Sequence, residues 1–114
     1  MIEVHFEFEN RSLRSLRVQG HQENRSDDRT FGLICNSVSV TVQNFQDSLV
    51  NLISNDDFEF QNRKGLSWVK RVKSFRLSEE KENILDILVK VSLIGLKRLQ
   101  KHHPEHLKIH LIEN

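Results

Sequence analysis

Between Ile2 and Glu9 apolar and polar side chains alternate without a break: Ile2, Val4, Phe6 and Phe8 against Glu3, His5, Glu7 and Glu9. A period of two belongs to a strand with one buried face, because the same residues on a helix would scatter around its axis. The rest of the chain must therefore supply a layer that covers this face. Asn10-Arg11-Ser12 reads as a turn, and Leu13 to Gln19, with Leu16 and Val18 on one side, reads as the hairpin partner ending at Gly20. Gly20 to Thr30 is polar and aperiodic, which predicts a mobile loop.

The covering layer follows. Ile34, Val38, Val42, Phe45, Leu49 and Leu52 recur in steps of three or four and form one stripe of a helix opening at Ile34. Several of its residues are β-branched, so burial of the stripe and not propensity must hold it. Phe58 and Phe60 then alternate again, Asn62-Arg63-Lys64-Gly65 supplies turn residues, and Leu66 to Phe75 returns as a second hairpin strand. Ser78, followed by Glu79 and Glu80, is an N-cap for a second helix running from Glu79 to His102, which Pro104 stops. Apolar residues from Ile84 to Leu99 cover more than half of that helix, more than one sheet can bury, so a homodimer is expected. Leu107, Ile109 and Leu111 alternate as a last strand. The expected order is ββαββαβ: an α+β fold with two long helices packed on a mainly antiparallel sheet, in a single domain over residues 1–114.

Composition agrees. Leu, Ile, Val and Phe make up 39 of 114 residues, well above the level of a disordered chain. No apolar run is long enough for a membrane span or a signal peptide, so the expected setting is the cytoplasm, with no membrane partner. Lys+Arg and Asp+Glu nearly balance at 17 and 16, but residues 1–60 are acidic and residues 61–114 basic. Arg63, Lys64, Lys70, Arg71, Lys73 and Arg76 form the densest basic stretch. It fits a nucleic-acid contact, and equally a solvated strand face whose charges discourage edge pairing; the second reading is preferred.

One cysteine excludes an internal disulfide. On this reading Cys35 falls in the first turn of the first helix, where unpaired amides and the helix dipole favour a thiolate. His21 follows Gly20 at the strand exit, and the intervening residues suffice to fold its imidazole back towards Cys35. Such a pair is a nucleophile and general base; a lone helical cysteine is equally a small buried hydrophobe.

The local strings decide between them. Gly20-His21, then a polar loop, then Leu33-Ile34-Cys35-Asn36-Ser37-Val38-Ser39 resembles the ribosomal-processing cysteine proteases of bacteria, which carry Gly-His-Ala after the second strand and Asp-x-Val-Cys-Ala-x-x-Ser on the first helix. Leu93-Ile94-Gly95-Leu96-Lys97 and the His103-Pro104 boundary are similar to the family's ending. The resemblance implies a cytoplasmic endopeptidase that removes a short N-terminal extension from the twenty-seventh protein of the large ribosomal subunit, at a region with paired phenylalanines. Cys35 corresponds to the nucleophile, His21 to the general base, Gly20 to the glycine before it and Ser39 to the helix serine. The amides of Cys35 and Asn36 would hold the oxyanion. Ser39 shares a face with Cys35 and either orients the thiolate or substrate, or is simply a small packing residue. The chain departs from the pattern at Gly32, where the family has an acid, and at Gln22, Asn36 and Ser37, where it has small residues. A catalytically inactive relative that binds the same precursor, and a ribosome- or RNA-associated factor, are the alternatives.

Nothing else in the sequence asks for a cofactor or a metal. His102, His103 and His106 with Glu105 sit at a helix end, where cationic histidine suits the dipole. His5 and His110 are expected to face solvent, and Trp68 to lie in the core or an interface.

Overall fold

The computed structural model describes residues 1–20, 29–72 and 77–114. Its elements are β1 (Ile2–Glu9), β2 (Ser12–Gln19), α1 (Arg29–Leu52), β3 (Phe58–Arg63), β4 (Leu66–Arg71), α2 (Glu79–His102) and β5 (Leu107–Glu113). The order is the expected ββαββαβ, an α+β fold. The strands form one sheet in the order β3-β4-β2-β1-β5, antiparallel except for the parallel pair β1 and β5.

Both hairpins turn tightly for identifiable reasons. Asn10 and Arg11 have φ of 52° and 65°, the left-handed pair that matches the twist of a two-residue hairpin. The Arg11 amide donates to Glu113 Oε1 at 3.2 Å, tying this turn to the end of β5. Gly65, at φ 83°, serves the β3–β4 turn, where a side chain would be strained.

The core lies between one sheet face and the helices. Ile2, Val4 and Phe6 are fully buried, in one core cluster with Phe31, Ile34, Val38, Val42, Phe45 and Leu49 of α1 and Leu85, Val89 and Leu96 of α2. Each such side chain contributes about 1.5–3 kcal/mol by leaving water. Gln46 is buried among them and bonded reciprocally to Asn62: its Nε2 donates to Asn62 Oδ1 at 3.2 Å, and Asn62 Nδ2 donates to Gln46 Oε1 at 3.0 Å. That pair fixes the C-terminal half of α1 against the end of β3.

The ends of α2 follow the sequence reading. Ser78 Oγ accepts from the Lys81 amide, three glutamates occupy the first turn, and the His103 amide donates to Leu99 O at 2.9 Å before Pro104. Leu85, Val89 and Leu96 are buried, whereas Ile87, Val91 and Ile94 stand exposed.

Two boundaries differ from expectation. Helix α1 opens at Arg29, not Ile34, because Phe31 continues the buried stripe one turn earlier at 5% exposure. Strand β4 ends at Arg71; Phe75, the expected end, lies outside the described residues, as do Lys73 and Arg76 of the basic stretch.

Candidate active site

Cys35 occupies the second turn of α1, half-buried and packed against the core. The earlier helix start has a chemical consequence. In an α-helix the amides of residues 35 and 36 are bonded to the carbonyls of Phe31 and Gly32, so they are not the unpaired donors of a helix start. The expectation that Cys35 and Asn36 amides form an oxyanion hole, and that Cys35 sits in the first turn, is therefore corrected. The Asn36 side chain is exposed.

Ser39 lies one turn beyond Cys35, and lines a cavity of about 230 Å³ together with Val42, Gln43, Asn62, Arg63, Lys64 and Ser67. The Gln46–Asn62 pair explains why the β3–β4 turn is held there. Sequence reasoning missed Asn62, Arg63 and Lys64 as site residues, because a hairpin turn gives no local signal of the helix it will meet.

Gly20 joins the same end of the molecule. Its amide donates to Gly65 O at 3.0 Å, its φ is 83°, and a Cβ at this position would run into the carbonyl oxygen of Met1. Only glycine satisfies both the backbone angle and the approach. His21, the next residue, and residues 22–28 of the loop expected from Gly20 to Thr30 lie outside the described residues, while Arg29 and Thr30 of that expected loop already belong to α1. Three members of the expected site, Gly20, Cys35 and Ser39, are thus placed by the structure, with the Gly65 turn linking Gly20 to the cavity beside Ser39.

Gly32 is exposed in the first turn of α1, and a Cβ there would meet no atom of the described residues outside its own helix within 4 Å. The described residues therefore leave room for a Cβ at the position where the similar family has an acid. Two further residues of the basic stretch are engaged locally: Lys70 lies 3.9 Å from Glu59 and 4.8 Å from the Trp68 ring centre, while Arg71 binds Glu82 and Ser12. Trp68 is half-buried on the sheet face away from the helices.

That outer face holds an arrangement the sequence did not announce. The rings of His5 and His110 stack at 4.4 Å with 9° between their planes, and His110 Nε2 lies 3.1 Å from Glu3 Oε1. Both histidines stand on the outward face expected of them but are half-buried there; strand pairing sets His5 opposite His110, and each ring shields the other. The His110 hydrogen bond, helped by Gln19, holds the Glu3 carboxyl below its ordinary range. Burial, then the charges of His110 and Arg17, push the His5 imidazole down.

Comparison with known proteins gives one family. The profile for cysteine protease Prp matches residues 1–108. No curated protein sequence matches the chain. Among solved structures, SMU.848 from Streptococcus mutans is similar at a TM-score of 0.81 with 22% identity, covering 100% of this chain and 96% of that one. The essential ribosomal processing protease Prp from S. aureus, in complex with a substrate peptide, is similar at 0.78 with 10% identity, covering 97% and 99%. The same protease with a covalently linked product peptide matches at 0.72 with 11% identity, again covering 97% and 99%.

Proposed function

The chain belongs to the cysteine protease Prp family, and from that membership we propose that it removes the N-terminal extension of a large-subunit ribosomal protein, the twenty-seventh, in the cytoplasm. Cys35 is the nucleophile and His21 the general base. The observation that carries this reading is the continuity from Gly20 through the Gly65 turn to the cavity that Ser39 lines, one helical turn from Cys35.

The reaction proceeds by acyl transfer. His21 takes the Cys35 proton, and the thiolate sulfur attacks the scissile carbonyl carbon. The tetrahedral intermediate collapses as His21 protonates the leaving amine, which departs and leaves a thioester. His21 then deprotonates a water that attacks the thioester; the acid product leaves and Cys35 recovers its proton. Ser39, on the face of α1 shared with Cys35, orients the thiolate or the bound peptide. The extended substrate runs along the cavity between α1 and the β3–β4 turn.

A homodimer accompanies this function. Ile87, Val91 and Ile94 form an exposed stripe on α2, at 59%, 62% and 69% exposure, which a second copy covers. Ile94→Glu is expected to shift the chain to monomer in sedimentation or light scattering; an unchanged mass for both forms defeats the dimer.

The test of catalysis is a peptide spanning the precursor junction. The unsubstituted chain is expected to cut it, and Cys35→Ala and His21→Ala each to abolish cutting while the circular dichroism melt is preserved. A chain that binds the peptide and leaves it whole is an inactive relative. A chain that ignores the peptide and binds RNA with an affinity falling steeply with salt overturns the proposal. In the same genome, the target ribosomal protein is expected to begin with a short extra segment holding a Phe-Phe pair.

A further inference from the structure

We propose that Glu3, His5 and His110 form a site for a borderline divalent transition-metal ion, zinc(II) foremost, on the sheet face turned away from the helices. The site is separate from Cys35 and from the cavity that Ser39 lines, and independent of the proteolytic reading.

The argument starts from register. Glu3 and His5 are two residues apart on β1, so both side chains leave the same face of the sheet. The parallel pairing of β1 with β5 sets His110 directly beside His5. One donor atom from each of the three residues lies within 4.8 Å of the others, and among the described residues no other set of three does so. The histidines near the end of α2, the more obvious group in the sequence, are not brought together in this way.

The donor set selects the ion. Two imidazoles and one carboxylate suit zinc and its neighbours, and leave a coordination position open to water or to a further ligand. Hard ions such as magnesium and calcium prefer an all-oxygen set. Gln19 Nε2 donates to the second carboxylate oxygen of Glu3 at 3.4 Å, which orients the carboxylate as an outer-shell partner does.

A second observation points to a ligand. Nδ1 of His5 is shut off from solvent and has no hydrogen-bond partner among the described residues, an arrangement that costs free energy. The rings stack and do not converge on a common point. Rotation about the Cβ–Cγ bonds brings their nitrogens together, exchanging the stack and the Glu3–His110 hydrogen bond for coordinate bonds. Arg17 pairs with His5 across β2, and Lys108 with Glu3 across β5; both are exposed, so their charged ends are able to turn into solvent as an ion enters.

The test uses the tag-free full chain carrying Cys35→Ser, so that a thiolate cannot account for binding. Zinc titration against a chromophoric chelator is expected to give about one ion per chain. Glu3→Gln and His110→Ala should each weaken binding about tenfold or more, while His102→Ala leaves it unchanged. Cobalt(II) should give visible d–d bands with no thiolate charge-transfer band, in this variant and in the unsubstituted chain alike. Metal-free melting curves of each variant separate loss of a ligand from loss of the fold. If a variant does not fold, histidine NMR of the unsubstituted chain decides: zinc should move the His5 and His110 ring signals first. Absence of stoichiometric binding, equal affinity in the site variants, or shifts confined to other histidines would overturn the proposal.

Discussion

The two helices have equal length and are held by different forces. Helix α1 buries seven residues, has no acid in its first turn and no base in its last. Helix α2 buries three, but has a serine N-cap, acids in the first turn and Lys101 and His102 in the last. The first is stabilised through its packed face, the second in large part through its ends. Cys35 and Ser39 ride on the helix that depends on packing, so the geometry of the site is coupled to the core.

This contrast can be broken first in the core. Phe45→Ala should cost about 3–5 kcal/mol, read by urea unfolding, and should lower cleavage at temperatures where the unsubstituted chain is still folded. Leu96→Ala on α2 should cost about 2–5 kcal/mol; a larger loss of cleavage per unit of lost stability for this variant would contradict the coupling of α1 to the site.

The next effect is electrostatic and belongs to the start of α2. Burial pushes the Glu82 carboxyl up, but the hydrogen bonds from Ser12 and Arg71 outweigh it and hold the group below its ordinary value. A lowered folded-state value means that the carboxylate stabilises the fold above the unfolded-state range and loses that contribution as pH falls through the folded value. Glu82→Gln should therefore cost about 1–3 kcal/mol at neutral pH, with its melting curve converging on that of the unsubstituted chain in acid. A constant gap at all pH values would show that the pair stabilises by shape and not by charge.

Smaller changes sharpen the difference at the helix starts. Ser78→Ala should remove about 1 kcal/mol from α2, measurable by calorimetry. Gly32→Ala should add about 0.5–1 kcal/mol to α1, since the added methyl meets none of the described residues outside its own helix within 4 Å. Gly32→Asp tests the family pattern at the same position: it should raise the cleavage rate if an acid there assists the site, and a rate unchanged or lowered argues that this chain works without one.

Much of the fold was legible because the apolar period changes along the chain, from two to about 3.6 and back, and each change marks an element. The start of α1 was misread because Gly32 interrupts the pattern, although Phe31 lies three residues before Ile34 and continues the stripe. Ser39 was readable from its four-residue distance to Cys35. Arg63 and Lys64 were not, since their nearness to α1 depends on the Gln46–Asn62 pair, two residues far apart in sequence. The His5–His110 stack was invisible for a similar reason: alternation places both on an outward face, and only the position and register of β5 make them neighbours.

The parallel pairing of β1 with β5 has a consequence for how the chain is born. Ile2 meets Leu107, so β1 keeps one bare edge until a strand roughly a hundred residues further along the chain has been made. At roughly 5–20 residues per second this interval is on the order of 5–20 s. During it, Val4 and Phe6 sit beside an open row of amides and carbonyls that invites pairing with other nascent chains. Glu3, His5 and Glu7, polar on every second position, make such pairing less favourable while the last strand is awaited.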